Sequence, residues 1–363
     1  MSLGNKLNTA KQVKNKVNAA RNVKNSIRDA KGTRGGGSGS GGGRGRGTGG
    51  GKSKKDKIKK MPKWLIAVAI VAIIGIGIAA WQFGFLDGIL EGEAPPRQAQ
   101  DDAQDRPPTA DVDGELQVHF IDVGQADAIL VKGGGHAVLI DSGARNGERI
   151  ILPYLESIGV TSLDVLVGTH PHADHIGGAA GIIEAMPVTS VWMPDVTHTT
   201  RTFERFIDAI DERDVDIHFA NAGDVLSAGP IQMTVVHPNR SGYSSLNDYS
   251  VVLHLRFGET AFIFTGDGEG PTDQEILDNG WDVRSNVMLA GHHGSRTSSS
   301  EALIDAINPE IAVISVGEGN KYGHPHQVVL DRFAERDIEV LRTDLEGSIV
   351  LITDGTTVRR YGA

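Results

Sequence analysis

The apolar residues of the C-terminal part of the chain occur in short runs, and the segments between these runs have helical periodicity. From Glu115 onward, thirteen such runs predict strands. Their sequences are LQVHFIDV, AILVKG, AVLID, LDVLVGTH, SVWMP, VDIHFA, IQMTVVHP, SVVLHLRF, TAFIFTGD, NVMLAGHH, IAVISVG, IEVLRT and SIVLIT. Amphipathic stretches predict helices at 148–158, 176–186, 200–213, 272–278, 300–307 and 326–337. The alternation predicts a single α/β or α+β domain over residues 115–363, with two sheets covered by helices.

A different pattern occupies residues 64–86, where 23 consecutive positions carry no charge. At a rise of about 1.5 Å per residue they form roughly 35 Å of helix, enough to cross a bilayer core of about 30 Å. Trp64 and Trp81 suit anchoring at the membrane interface. We therefore expect one transmembrane helix. The alternatives are a buried helix of a soluble domain and a signal peptide starting at Met61, although no A-x-A cleavage site follows the run.

The charges divide at this apolar run. Residues 1–63 contain 18 Lys or Arg and two acidic residues, a net charge of +16, whereas residues 64–363 contain 18 and 44, a net charge of −26. Because basic residues precede the span and acidic residues follow it, we expect the N-terminus in the cytoplasm and the later residues outside the cell. The acidic outer half argues against strong electrostatic binding of nucleic acid by that half.

The remaining segments complete a four-part organisation. Residues 1–31 have apolar positions three and four apart, which predicts a basic amphipathic helix for an anionic membrane surface, nucleic acid or a partner, with a solvated tail as the alternative. Residues 32–51 are a Gly-rich linker. We therefore expect a basic, Gly-rich cytoplasmic tail (1–63), a transmembrane helix (64–86), an acidic Pro-rich linker (87–114) and a folded domain (115–363).

The string THPHADHIGG at residues 169–178 carries the candidate chemistry, because it follows an apolar strand and precedes a helix. Three His and one Asp fall within its residues 170–175, and burying so many ionisable groups without a metal would be costly. In a tight turn His170 and His172 can aim at one cation, and Asp174 and His175 at a second. The chain has no Cys, which excludes thiolate ligands, a cysteine nucleophile and disulfides. Imidazoles and carboxylates suit Zn and, with more oxygen ligands, Mn or Fe.

This string matches the HxHxDH motif of the metallo-β-lactamase superfamily, and the chain resembles that family over nearly all of residues 115–363. The resemblance implies an αββα sandwich with one or two metal ions. Asp141 in VLIDSG resembles the early structural Asp of the family, Asp267 in FTGD its metal-bridging Asp, and His292-His293-Gly294 its final His. More narrowly, FIDVGQADAIL, AGHHGS, NKYGHPH and LRTDLEGSI resemble the extracellular domain of ComEC-type competence proteins.

The chain departs from these patterns in three places. The third histidine of the first metal site is absent, and the corresponding stretch, SLNDYSVV, offers Asn247 or Asp248 instead, which favours a harder metal such as Mn. Ala126 replaces a glycine of the DVGQGD string. ComEC-type proteins carry a multi-helix channel, whereas this sequence predicts one span, so the resemblance does not imply DNA transport.

The resemblance assigns a role to each candidate residue. Two divalent ions, Zn or Mn, would share a hydroxide and the Asp267 carboxylate. His170 and His172 would hold the first ion and Asp174 and His175 the second, which His293, or alternatively His292, would complete. Asp174 and His292 are the expected catalytic residues, with His292 facing the substrate to stabilise an oxyanion or protonate the leaving group. We expect Asp141 to orient a ligand histidine. The remaining candidates for the pocket are Asn247, Asp248 and Ser295. His237, His324 and His326 are further candidates, with a structural role as the alternative for His237 and a turn or cap role for the other two.

These expectations lead to a membrane-anchored extracellular hydrolase that cleaves a phosphodiester, with DNA or another nucleic acid as substrate. A first alternative is a phosphodiesterase of cell-envelope polymers, resembling phosphorylcholine esterases. A second is a non-catalytic module of a DNA-uptake system that binds a separate membrane channel subunit.

Overall fold

The computed structural model describes Val112 and residues 114–362. Fifteen strands run through this part of the chain. They are β1 (Leu116–Phe120), β2 (Ile129–Gly133), β3 (His136–Ile140), β4 (Leu163–Val167), β5 (Val188–Met193), β6 (Asp216–Phe219), β7 (Val225–Ala228), β8 (Ile231–His237), β9 (Val252–Phe257), β10 (Thr260–Phe264), β11 (Val287–Leu289), β12 (Ile311–Ile314), β13 (Glu339–Arg342), β14 (Ile349–Thr353) and β15 (Val358–Arg360).

Eight α-helices and two 3₁₀ turns connect the strands within the same range. The helices are α1 (Glu148–Ser157), α2 (Ala173–Ile176), α3 (Ala179–Ala185), α4 (Arg201–Glu212), α5 (Gly270–Asp278), α6 (Glu301–Ile307), α7 (Gln327–Ala334) and α8 (Thr343–Glu346). The 3₁₀ turns are Asn247–Tyr249 and Gly291–Gly294. Three of the four longest helices have an acidic residue in the first turn, where it offsets the positive end of the helix dipole.

The strands form two sheets, with orders β15-β14-β1-β2-β3-β4-β5-β6 and β13-β12-β11-β10-β9-β8-β7. Successive side chains of a strand point to opposite faces, so Val138 and Ile140 of β3 enter the core between the sheets while Leu139 packs under α1 to α4. Helices α5 to α7 cover the other sheet through a third core that includes Ile276 and Phe333. The architecture is the predicted αββα sandwich.

The apolar runs of the sequence predict thirteen of the fifteen strands, and the two others, β7 and β15, were not predicted. Each of these two lies at one edge of its sheet. Both are short, and β7 alternates exposed with buried residues while β15 reads Val-Arg-Arg, so neither makes an apolar run. The predicted helix 176–186 was too long: it begins as α2 and restarts as α3 after Gly177 and Gly178, whose backbones lie against residues 142–148.

In the part of the chain that the structure describes, no helix has the length and apolar character needed to cross a bilayer. The predicted transmembrane helix at 64–86, the basic tail at 1–63 and nearly all of the linker at 87–114 lie outside the described residues.

Candidate metal centre

Polar side chains from four loops meet at one edge of the sandwich. The loops follow β3, β4, β10 and β11, and they carry respectively Asp141, the turn 169–175, Asp267 and the 3₁₀ turn Gly291–Gly294. Three groups of metal-ligating side chains result, and within each group one ligand atom per residue lies within 4.8 Å of the others. Two groups share Asp267: they are His170, His172 and Asp267, and Asp174, His175, Asp267 and His293. The third group is Asp127, Asp141 and His175, on the Nδ1 side of His175. We call the six residues of the first two groups the metal cluster.

The turn after β4 presents its polar residues in two directions. His170 Nε2 lies 2.9 Å from His172 Nδ1, so these two nitrogens point to one place. His172 is extended at the N-terminus of α2, and the first helical turn then carries Asp174 and His175 to the other side. His170 and His175 are almost completely buried, at 1% and 0% exposure. The local backbone thus separates the four residues into two pairs.

The two histidines after β11 take different positions because their backbone is left-handed. His292 has φ 50° and His293 has φ 54°, a conformation that is costly for residues with a Cβ and is typical of functional sites. The His293 ring is buried, with 3% of the residue exposed. The His292 side chain is 25% exposed. His293 therefore belongs to the cluster, whereas His292 lies on its solvent-exposed side. We call this side of the cluster the opening.

Asp267 lies between the two groups, and its two oxygens face different neighbours. Oδ1 is 3.2 Å from His175 Nε2 and 3.7 Å from His293 Nε2. Oδ2 is 3.7 Å from His170 Nε2 and 3.6 Å from His292 Nε2. A carboxylate placed in this way can contribute one oxygen to each of two ions.

A second layer of groups holds the Nδ1 side of the buried histidines. His175 Nδ1 lies 2.7 Å from Asp141 Oδ2, and His293 Nδ1 donates to the Ser315 carbonyl at 3.0 Å. Asp127 Oδ1 lies 3.4 Å from His293 Nδ1. Such partners fix the ring orientation and leave Nε2 as the ligand atom. Asp127 was missed by the sequence reading, although it is the aspartate of the DVGQAD string.

The inner side of the cluster is left without partners. His175 Nε2, His293 Nε2 and Asp267 Oδ1 are buried and make no hydrogen bond, although His175 and Asp267 approach within 3.2 Å. An unsatisfied buried polar atom normally costs about 1–3 kcal/mol, and three such atoms that converge on one point fit a binding site for a cation. Divalent metals fit this donor set of imidazoles and carboxylates.

Without a cation, the carboxylates and imidazoles of the cluster balance one another. Burial alone would lower the pKa of His175 and His293, but the nearby Asp267 carboxylate raises the pKa of both well above the usual value. Burial would raise the pKa of Asp267, yet these two imidazoles hold it well below its usual range. In His170, burial dominates and lowers the pKa. The raised pKa values of His175 and His293 mean that a divalent ion would compete with protons for the second group.

Asn247, one of the two residues expected in place of the absent third histidine, contacts His292. It is buried, at 7% exposure, and its Nδ2 lies 3.4 Å from His292 Nδ1. Its amide oxygen is buried without a hydrogen-bond partner. The neighbouring Asp248 takes a structural role, since its Oδ1 accepts a hydrogen bond from Thr272 in α5 at 3.3 Å.

The other predicted pocket residues brace the surrounding loops. Ser295 Oγ and Thr297 Oγ1 form a hydrogen bond of 2.9 Å. His326 Nδ1 accepts from the Arg296 backbone N–H at 3.1 Å. The ring of His324 lies 5.6 Å from that of His292, so it lines the opening.

His237 is held on both sides. Its Nδ1 donates to the Ser250 carbonyl at 2.9 Å, and its Nε2 lies 3.1 Å from a Glu275 carboxylate oxygen. Neither nitrogen is left for a metal, so His237 has the structural role that was the alternative in the sequence reading.

Comparison with known proteins agrees with this geometry. Residues 121–318 match the family model of the metallo-beta-lactamase superfamily. ComE operon protein 3 of Bacillus subtilis (strain 168) is 34% identical over 254 residues, which cover 65% of this chain and 33% of that protein. Recombination protein 2 of Haemophilus influenzae is 30% identical over 238 residues, 64% of this chain and 28% of that protein. The chain thus spans about a third of the length of these curated relatives.

Among solved structures, the metallo-beta-lactamase fold protein YhfI from Bacillus subtilis superposes with a TM-score of 0.46 at 12% identity, covering 66% of this chain and 99% of that one. The matched family model covers more than half of the 363 residues and includes the whole metal cluster. The chain therefore belongs to the metallo-β-lactamase superfamily of metal-dependent hydrolases, and its described domain is of the ComEC type.

Proposed function

We propose that the domain is a phosphodiesterase that uses two divalent ions, Zn or Mn, and that its substrate is DNA or another nucleic acid. The observation that carries the proposal is the convergence of three unpaired buried atoms, His175 Nε2, His293 Nε2 and Asp267 Oδ1. The name of one relative, Recombination protein 2, supports nucleic acid as the substrate class.

Each residue of the cluster has a role in this reaction. His170 and His172 would hold one ion, Asp174, His175 and His293 the other, and Asp267 both. When bound, divalent ions in such a site activate a water molecule as nucleophile and offset the charge of the phosphodiester. Asn247 would add a buried amide oxygen that makes no hydrogen bond, and an oxygen ligand favours a harder metal such as Mn.

His292 is placed to act on the substrate. Its ring is partly exposed at the opening, and its Nδ1 lies 3.4 Å from Asn247 Nδ2 and 3.4 Å from Glu269 Oε1. In the tautomer that accepts from Asn247 at Nδ1, the proton is on Nε2, which lies on the Asp267 side and would donate it to an oxygen of the phosphodiester or of the leaving group.

The activity is tested with the full chain in detergent. We expect it to cleave single-stranded oligonucleotides and bis-p-nitrophenyl phosphate when Mn or Zn is added, and we expect His170→Ala and Asp267→Ala each to abolish cleavage. Unchanged activity of these variants, or of the wild type under chelation, would contradict the proposal. Faster cleavage of phosphorylcholine esters than of oligonucleotides would favour the envelope-polymer alternative, and a chain that binds no metal would favour a non-catalytic module.

We also propose a cellular location. The uncharged run 64–86 between a +16 segment and a −26 segment would anchor the domain at the outer face of the cytoplasmic membrane, with residues 1–63 inside. A separate membrane channel subunit would supply any transport step. Protease added to intact spheroplasts should digest the domain and spare the basic tail. Protection of the domain would contradict this orientation.

A further inference from the structure

The loop between β12 and α7 is held in one shape beside the metal cluster. The side chain of Asn320 clamps it, because Nδ2 donates to the carbonyls of Gly317 and His324 at 3.0 and 2.6 Å. Its Oδ1 accepts from the backbone N–H groups of Tyr322 and His324 at 3.2 and 3.0 Å. The loop is therefore preorganised before any ligand binds.

This loop displays an aromatic ring to solvent. Tyr322 is 56% exposed. It is one of six large apolar residues that are exposed in the described part of the chain. Its ring stacks on that of His324, with centroids 5.7 Å apart and planes 27° apart. The His324 ring in turn lies 6.5 Å from that of His293 in the metal cluster. Two ring-to-ring steps thus separate an exposed tyrosine from a metal ligand.

Cations accompany the ring, although the outer half of the chain is acidic overall. Lys321 Nζ lies 5.3 Å from the Tyr322 ring centroid. Arg296 is exposed on the loop after His293, and its backbone N–H is tied to His326 next to the Tyr322 loop. Aromatic faces flanked by Lys or Arg are the usual means of holding single-stranded nucleic acid, because bases stack on the ring while phosphates meet the cations.

We propose that Tyr322 is a stacking platform for a nucleobase of a single strand whose neighbouring phosphodiester lies at the metal cluster. The proposal rests on the phosphodiesterase function proposed above and adds a specificity residue to it. Choline, the ligand of the envelope-polymer alternative, suits the platform less well. A quaternary ammonium is normally enclosed by several aromatic rings, whereas here one exposed ring has a lysine cation beside it.

The test compares two oligonucleotides of equal length and charge, one of thymidines and one with abasic sugars. Each is mixed with the full chain and Mn²⁺, and binding is read by stopped-flow fluorescence anisotropy before turnover. We expect Tyr322→Ala to weaken binding of the thymidine strand about tenfold more than that of the abasic strand, and Tyr322→Phe to restore the preference. Lys321→Ala should weaken both strands equally. The matched control is Tyr361→Ala, which removes the exposed tyrosine that directly follows β15. It should change the binding of neither strand.

The outcomes separate this inference from the function on which it rests. Equal losses for the two strands in Tyr322→Ala, with cleavage intact in the wild type, would overturn the stacking role alone. A Tyr322-dependent preference for thymidine without any cleavage would support the platform and overturn the phosphodiesterase. Phosphocholine that competes with the strand only when Tyr322 is present would overturn the choice of a nucleobase.

Discussion

Two buried histidines in this domain have nearly equal exposure and opposite electrostatics. His119, in the sheet under α1, is 0% exposed, and burial lowers its pKa to about 3. His293, in the metal cluster, is 3% exposed, and there the neighbouring carboxylates overcome burial and raise the pKa well above the usual value. Burial alone therefore does not tell a structural histidine from a ligand.

The difference lies in the partners of the two ring nitrogens. His119 Nδ1 lies 2.9 Å from the Tyr154 hydroxyl and Nε2 3.2 Å from Gln117 Oε1, so both nitrogens are satisfied by neutral groups. His293 has Nδ1 bonded to the Ser315 carbonyl and leaves Nε2 buried and unpaired. A fixed Nδ1 with a free buried Nε2 is the arrangement expected of a metal ligand.

Removing the charge that the two ion sites share should have the largest effect. Asp267→Asn is expected to lower phosphodiester cleavage about a thousandfold or more, because the metal supplies several kcal/mol of transition-state stabilisation. Steady-state cleavage with saturating Mn would measure it. Glu275→Gln, a change of a carboxylate that contacts His237 and Tyr243 instead, is the matched control and should keep most of the activity. Equal losses in both variants would place the effect on folding.

Removing the carboxylates that contact the Nδ1 atoms of the ligand histidines should have an intermediate effect, on metal affinity. Asp127→Asn and Asp141→Asn remove charges beside the Nδ1 atoms of His293 and His175, and we expect a 10- to 100-fold loss of metal affinity. Asparagine suits Asp141 because it tolerates its positive φ of 59°. Competition titration with a fluorescent chelator would give the affinities.

The control for these variants is Asp164→Asn. Asp164 also pairs with a histidine, His136, at 3.1 Å, but on the surface and outside the cluster. We expect no change of metal affinity there. An equal loss of metal affinity in Asp164→Asn would show that Asp127 and Asp141 do not act by orienting the rings of His293 and His175.

Replacing His119, whose two ring nitrogens both have partners, should lower the stability of the fold and leave metal binding unchanged. His119→Gln loses its bond to the Tyr154 hydroxyl in the interior, and we expect a decrease of about 1–3 kcal/mol in the free energy of unfolding. Chemical denaturation with a constant metal supply would measure the decrease. A loss of bound metal in the folded variant would remove the distinction between the two histidines.

The pH dependence of folding stability should also distinguish His119 from the ligand histidines, with smaller effects than those of the substitutions. His119 has a lowered folded pKa, so the unfolded chain binds more protons and the His119 contribution destabilises the fold as pH falls from 6.5 toward about 3. His175 and His293 have raised folded pKa values, so in chelator-treated protein their contribution is present below pH 6.5 and is lost as pH rises above it. With metal bound, the trend above pH 6.5 should reverse, because binding releases these protons. Thermal unfolding with and without chelator checks both signs, from pH 6.5 down to about 4 for His119 and from pH 6 to 9 for His175 and His293.

The sequence predicts the features whose residues are neighbours along the chain. It does not predict those that depend on contacts between distant residues. Thirteen strands and the HxHxDH turn were visible because apolar runs and adjacent ligands leave a local pattern. The assignment between His292 and His293 depends on a left-handed backbone that the letters do not display. Asp127 acquires its role only when the β1–β2 loop packs against His293. Edge strands β7 and β15 bury too little apolar surface to stand out.

The most direct test of the distinction is the metal content of three full-length chains after dialysis against Mn or Zn, measured by inductively coupled plasma mass spectrometry. Wild type and His119→Gln should each hold one ion at each of the two groups of the cluster, whereas His293→Gln should lose the ion of the second group. Full metal content in His293→Gln, or an equal loss in His119→Gln, would contradict the claim that an unpaired buried nitrogen marks the ligand.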